Sequence, residues 1–370
     1  MRNLTFILVV LLVSCVNHKA GEATKEDGSN GFYPRKEVQV KYAKGFEVEY
    51  LPRSTKVITH SFGQNEFFRD SLYLEHEFDK TILPFDGLSV KCDAIASQST
   101  THLAYLEVLG KLNLVKALCG LKYVTNSEVV EELEKAGTVE ICLGESIQLE
   151  ALLNAETNLF LTYPFGSSDQ INYEDKGVQT FMIAEYLEEG QLARLEWIKL
   201  FGLLFNRVDE ANDYFEKVEK EYNSLKTKPD PNKQFIMNLP WGEQWHMPSS
   251  KSVGVQLMED AGLYYHFRKD AGTENIIRSK EAMWQAGAEA SYWVIIASRE
   301  EGFGMEDLIA EDPVYAEFKS VRNQQVLFCN ISTTDYFSKG VVEPHVLLKD
   351  LLFLTHQIGE HEPEYFQRLE

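Results

Sequence analysis

The chain has 370 residues, with 36 Lys and Arg against 57 Asp and Glu, for a formal charge of −21. That balance excludes nucleic acid as a partner, which needs a basic footprint, and works against any hold on anionic lipid headgroups. The length exceeds what one ordinary core accommodates, so two lobes are expected.

Met1-Arg2-Asn3 sets one positive side chain ahead of an apolar run from Leu4 to Val13. The run has the length of a signal-peptide core and falls well short of the ~20 residues that span a bilayer. It ends in Leu12-Val13-Ser14-Cys15, which resembles a bacterial lipobox. Lipidation of Cys15 would make it the first residue of the exported chain and its membrane anchor. An ordinary signal peptide that ends in Cys is the alternative. Residues 1–15 are set aside from the fold, and 16–43 are expected to form a flexible tether. No later stretch is apolar enough to span a membrane.

Residues 44–85 have their own rhythm. Phe46 to Tyr50 and Lys56 to His60 alternate apolar and polar, the period of half-buried strands, and with Asp70 to Phe78 they predict a small β-meander. From Lys91 the pattern changes to strand, helix, strand, helix, which predicts a parallel sheet covered by helices over 86–206. Its elements are a strand at 93–96, a helix from Thr101 to Gly110 capped by the Ser99 and Thr100 hydroxyls, and a strand at 115–119. A helix from Glu128 follows, stopped by Gly137, and the alternation continues to 185.

Gln191 to Leu225 reads as nearly unbroken helix with a joint near Asn206, and 207–228 as the connection between lobes. Its second half sets Ala211, Tyr214, Phe215, Val218, Tyr222 and Leu225 on one face. Pro229 and Pro231 end it. A second alternating series fills 229–370: strands at 234–239, 263–267, 292–297 and 326–329, and helices at 253–261, 280–286, 305–320 and 345–358. Cys92, Cys119, Cys142 and Cys329 lie in or beside strand-like runs and form no CxxC pair. An exported chain can carry disulfides, but four buried thiols are the expectation.

The order of these elements and several local stretches resemble the helix-linked, class III substrate-binding proteins of iron-complex and cobalamin ABC importers. Ile95 to Gly110 resembles the family's opening strand, Ser/Thr-rich turn and helix ending in Leu-Gly. Leu152 to Leu161 stands where the family reads Ala-Leu-Lys-Pro-Asp-Leu-Val, here without the Pro-Asp turn. Tyr186 to Ile198 is similar to a version found in lipoproteins of this kind. The resemblance implies two Rossmann-like α/β lobes with parallel sheets, joined by one long helix. It also implies a monomer anchored only by lipid and facing the periplasm, which captures an iron-siderophore, haem or cobalamin for an ABC permease and its ATPase. No intrinsic cofactor or metal is implied. One surface carboxylate on each lobe would dock on the permease: Glu281 in the second, and Asp169 or Glu174 in the first.

In parallel α/β sheets ligands collect outside the carboxyl ends of strands, which makes Ser99, Thr100, Thr101, His102, Tyr163 and Phe165 site candidates in the first lobe. In the second, Trp241, Trp245, His246, Arg299, Tyr336 and Phe337 are the candidates. Pro240 to Pro248 puts two Trp, a His and a Met in one short loop, poorly explained as solvated surface. His102, His246 or Tyr163 could ligate iron, although a lone His is more often structural. Few cations accompany these loops, Arg299 being the main one. A tri-anionic catecholate complex would call for several, so a hydroxamate, a corrinoid or haem fits better. No GxSxG, HExxH or phosphate loop appears, and Ser97 and His102 have no acid nearby in sequence to orient them. A non-transport surface receptor or adhesion lipoprotein on the same fold is the alternative, ahead of a metal-dependent enzyme.

Overall fold

A computed structural model describes residues 37–51, 54–61, 68–75, 92–144, 146–163, 173–356 and 360–370. The leader, Cys15 and the start of the tether lie outside them. Strands Phe46–Tyr50, Ser54–His60 and Arg69–Glu75 pair antiparallel in chain order as the predicted meander. The meander is packed onto the body. Phe46, Val57 and Leu72 join the main core, Phe46 meets the Trp197 ring at 5.3 Å, and the Met182 N–H donates to Asp70 at 2.9 Å.

The first lobe is a five-stranded parallel sheet in the order Thr180–Met182, Leu159–Thr162, Ile95–Ser97, Val115–Leu118, Val139–Glu140. Its central strands are apolar runs because helices cover both faces. The second lobe orders Tyr264–Tyr265, Gln234–Met237, Tyr292–Ala297 and Val326–Asn330 in parallel, and Gln367–Arg368 closes the edge antiparallel. This architecture is the one expected, two α/β lobes joined through helix. The closing strand was not anticipated. It is positioned by the buried Asp350, which accepts the N–H groups of Glu364, Tyr365 and Phe366 at 3.1, 2.7 and 3.1 Å.

The link is made of Gln191–Leu195, Trp197–Leu204 and Val208–Leu225. The joint near Asn206 is present, with Asn206 at φ +53. There the two longer helices cross so closely that a Cβ on Gly202 would lie 2.6 Å from that of Ala211. At Glu196 the backbone stays helical, at φ −62 and ψ −17, but tightens, with the Lys199 N–H donating to the Glu196 carbonyl at 3.0 Å. The face of Val208–Leu225 is as read: Ala211, Phe215, Val218 and Tyr222 are buried and Tyr214 and Leu225 pack beside them.

Four details correct the sequence reading. Residues 37–43 lie along the linking helices, with Lys41, Tyr42 and Ala43 donating their N–H groups to Glu196. Cys119 and Cys142 form a disulfide, leaving Cys92 and Cys329 as thiols. The pairing follows from sheet register, since Leu118 lies opposite Glu140 and brings the residues beyond them together. Met305–Glu311 and Lys319–Arg322 replace one long helix because Pro313, which has no N–H, starts a 3-10 turn between them. Finally, Gln244–Pro248 is a strand paired with Asn275–Ser279, not a loop.

Candidate functional site

In each sheet the chain starts at an inner strand, adds neighbours on one side, then crosses to the other, which leaves a crevice at the carboxyl ends where it switches. In the first lobe that point lies between Ile95–Ser97 and Leu159–Thr162, so it is flanked by residues 98–101 and by Tyr163. Gln98 holds the two together: its N–H donates to the Leu161 carbonyl at 2.9 Å and its Oε1 accepts the Tyr163 N–H at 3.3 Å. Tyr163 in turn sets its ring edge-on to Tyr186 at 6.5 Å. Phe165 lies outside the described residues.

Behind this turn runs a polar network. Thr101 Oγ1 donates to Glu185 Oε1 at 2.8 Å, Ser99 Oγ lies 2.8 Å from Thr101 Oγ1, and Ser99 Oγ accepts the Thr101 N–H at 3.2 Å. Thr100, expected to cap the helix Thr101–Val108 with its hydroxyl, stands at the N-cap position without such a bond; Ser99 serves instead. Glu185 is buried and pairs with Arg194 at 3.6 Å. His102 is enclosed, with Nδ1 2.8 Å from Ser97 Oγ and Nε2 3.9 Å from Glu185 Oε2. An acid therefore does face this histidine, 83 residues along the chain, although beyond hydrogen-bond distance. Burial pushes the His102 pKa down, against the pull of Glu185, so the ring is neutral. Ser97 and His102 are both closed to solvent and form a support under the crevice rather than a surface for a ligand.

The second lobe switches between Gln234–Met237 and Tyr292–Ala297. Asn238 turns the chain at φ +62 and donates through Nδ2 to the His246 carbonyl at 3.2 Å. The two tryptophans of the following segment part company. Trp241 is 85% exposed. Trp245 is 0% exposed, packed on Trp293 and Tyr315, with Nε1 donating to the Met237 carbonyl at 3.0 Å. Strand alternation is the reason: Trp245 and Met247 face the core while Gln244 and His246 face away. Trp245 thus has no face left for a ligand. Arg299 is held in a fork by Glu311, Nε to Oε1 at 3.0 Å and a terminal nitrogen to Oε2 at 3.3 Å, so its charge is compensated. Tyr336 is buried against Phe366 and Phe337, and Phe337 is 46% exposed.

The carboxyl ends of the two sheets face each other. Thr125, beyond the strand Val115–Leu118, donates to Asp335, beyond Val326–Asn330, at 2.6 Å. Gln191 Nε2 reaches the Val253 carbonyl at 3.2 Å, and Lys251 pairs with Glu189 at 3.2 Å. These contacts hold the two lobes against each other, with Ser99 half-buried in the first and Trp241 exposed in the second. Glu281 lies in the first turn of Lys280–Glu289, where backbone and Ser279 hydrogen bonds hold its carboxyl below the usual range. Asp169 lies outside the described residues, and Glu174 opens the 3-10 turn Glu174–Lys176. Sequence reasoning missed Glu185 and Arg194, whose only signal was charge inside otherwise apolar segments.

Residues 99–331 match the profile of the periplasmic binding protein family. An uncharacterized lipoprotein of Methanocaldococcus jannaschii is 25% identical over 285 residues, spanning 74% of this chain and 67% of that protein. Among solved structures, a periplasmic haem-binding protein from Pseudomonas aeruginosa aligns with a TM-score of 0.59 at 13% identity, covering 75% of this chain and 98% of its own. A component of an ABC-type Fe3+-hydroxamate transport system from Saccharomonospora viridis aligns at 0.56 and 15% identity, covering 74% and 96%. Among the described residues, no helix is long and apolar enough to cross a membrane.

Proposed function

Because the chain belongs to the periplasmic binding protein family, we propose that it is a lipoprotein, anchored through Cys15, that captures an iron chelate or cobalamin-like complex and delivers it to an ABC permease. The observation that carries this reading is the opposed pair of strand ends joined by Thr125 and Asp335, with polar Ser99 on one side and exposed Trp241 on the other. Two faces of that kind suit a large, flat or globular chelate: the indole supplies area at low entropic cost and the turn supplies orientation. The haem and hydroxamate systems among its structural neighbours support the ligand class. Glu281, with Asp169 or Glu174 in the first lobe, would meet the permease, whose ATPase supplies the energy. The carrier acts as a monomer on the periplasmic side and needs no catalytic group.

The test is a titration of the exported chain with a ferric hydroxamate, haem and cobalamin in turn. Saturable binding of one of them at micromolar or lower concentration supports the reading. Trp241→Ala should then weaken it about tenfold, the size of one lost aromatic contact. No binding of any of the three removes the ligand class.

A further inference from the structure

The hydrogens of the first-lobe turn have a fixed direction. Glu185 ion-pairs with Arg194 and, as a carboxylate, only accepts. Thr101 has one hydroxyl proton and gives it to Glu185 at 2.8 Å. The 2.8 Å contact between Ser99 Oγ and Thr101 Oγ1 must therefore use the proton of Ser99. Ser99 Oγ also accepts the Thr101 N–H at 3.2 Å, which leaves it one lone pair and no proton. Ser99 is half-buried, at the switch point. Its remaining capacity is that of an acceptor.

The opposite strand ends have the same polarity. Thr333 and Thr334 donate their hydroxyls to the Asn330 carbonyl at 3.4 and 2.8 Å, and Ser332 donates inward to Arg299 O or Asn330 Oδ1. Thr125 gives its proton to Asp335. The Arg299 guanidinium is taken up by Glu311. Thr100, the Gln98 amide nitrogen and the Trp241 indole are neutral donors at the two switch points, and the exposed Lys122, on the loop whose Gly120 packs against Thr100, lies over the Tyr123 ring as a single cation rather than a cluster.

We infer that Ser99 Oγ meets the ligand as a hydrogen-bond acceptor, with Thr101 and Glu185 as positioning residues behind it, so that the cargo is a neutral or cationic chelate bearing N–H or O–H donors. The inference rests on the chelate reading above and narrows it. An oxygen-rich trianion would meet lone pairs at this turn, and reversing the relay would mean taking the Thr101 proton away from a buried carboxylate.

The experiment compares two ferric complexes on the full chain: a linear trihydroxamate with a free ammonium arm, and a tris-catecholate with three negative charges. The ammonium complex should bind at least tenfold more tightly. Ser99→Ala should cost that complex about tenfold and leave the catecholate unchanged or bound more tightly, which separates this contact from the general repulsion of a −21 protein. Thr101→Val, which removes the acceptor of the Ser99 proton, should let Ser99 donate and shift the affinity ratio at least fivefold towards the catecholate. Equal or tighter binding of the catecholate by the unaltered protein overturns the inference, as does an unchanged ratio in both variants. If neither complex binds, this inference fails, and titration with haem and cobalamin decides whether the broader reading fails with it.

Discussion

Glu188 is buried beside the link, where its carboxylate accepts the N–H groups of Lys44 and Gly45 at 3.0 and 2.8 Å and the Trp197 indole at 2.9 Å. Burial outweighs these donors and lifts its carboxyl to about 7. The unfolded chain releases that proton near 4.3, so between those values the folded protein holds a proton that the unfolded one has lost. The resulting stability is fully present below about pH 4 and disappears as pH rises through 7. Urea unfolding from pH 4.5 to 7.5 should show a fall that Glu188→Gln flattens, with a difference approaching about 3 kcal/mol at the upper end; equal slopes in both proteins would refute it. Gly287 presents the opposite limit, one of shape. A Cβ there would lie 2.5 Å from the Phe318 ring, so Gly287→Ala should destabilise by about 1–3 kcal/mol, seen as a lower urea midpoint with unchanged slope. Neither residue announces itself in the sequence. The backbone partners of Glu188 lie 143 and 144 residues away, and a glycine inside a helix reads only as a weak helix former.

At the level of elements, the sequence was most informative where periodicity alone decides. Phe46–Tyr50 and Tyr292–Ala297 stand at the boundaries read from alternation and apolar run, and Gly137 at φ +72 stops its helix as expected. It was least informative where one element is defined by another. Trp241 and Trp245 looked equivalent until the pairing of Gln244–Pro248 with Asn275–Ser279 turned one inward. The Cys119–Cys142 disulfide likewise depends on register. It ties down the loop that carries Tyr123, whose first turn is also held by Glu140 accepting the Gly120 and Leu121 N–H groups at 3.0 and 2.9 Å. Closing a loop of 23 residues stabilises by about 3 kcal/mol in the chain-entropy account. Under non-reducing denaturation, Cys92 and Cys329 should react with a thiol reagent while Cys119 and Cys142 do so only after reduction. Reduction should lower the melting temperature by several degrees. Four reactive thiols in the unreduced protein would remove the bridge.

For the molecule as a whole, what matters is how the lobes are held to their link. Five successive N–H groups, from Lys41 to Gly45, end on two buried carboxylates, Glu196 and Glu188. Lys41 and Tyr42 also bond Glu219 on the linking helix, and Lys199 Nζ donates to the Gln39 carbonyl at 2.8 Å. The segment from Glu37 onward thus braces the elbow between Trp197–Leu204 and Val208–Leu225 and carries the meander on its far end. Glu188 lies in the bend before the linking helices and Glu196 between the first two of them; both are buried, and such a group left unpartnered costs about 3–5 kcal/mol when it is charged. A chain begun at Glu37 and one begun at Phe46 differ only by this strap. The shorter should lose several kcal/mol in urea unfolding, and Glu188→Gln with Glu196→Gln should restore part of it, because a neutral amide tolerates burial better than an orphaned carboxylate. Loss without restoration would mean that packing of Tyr42 and Val38 is the larger effect. Equal stability of the two chains would mean that the strap does not brace the link, and the hold between the lobes would then rest on contacts such as Thr125–Asp335, Gln191–Val253 and Glu189–Lys251.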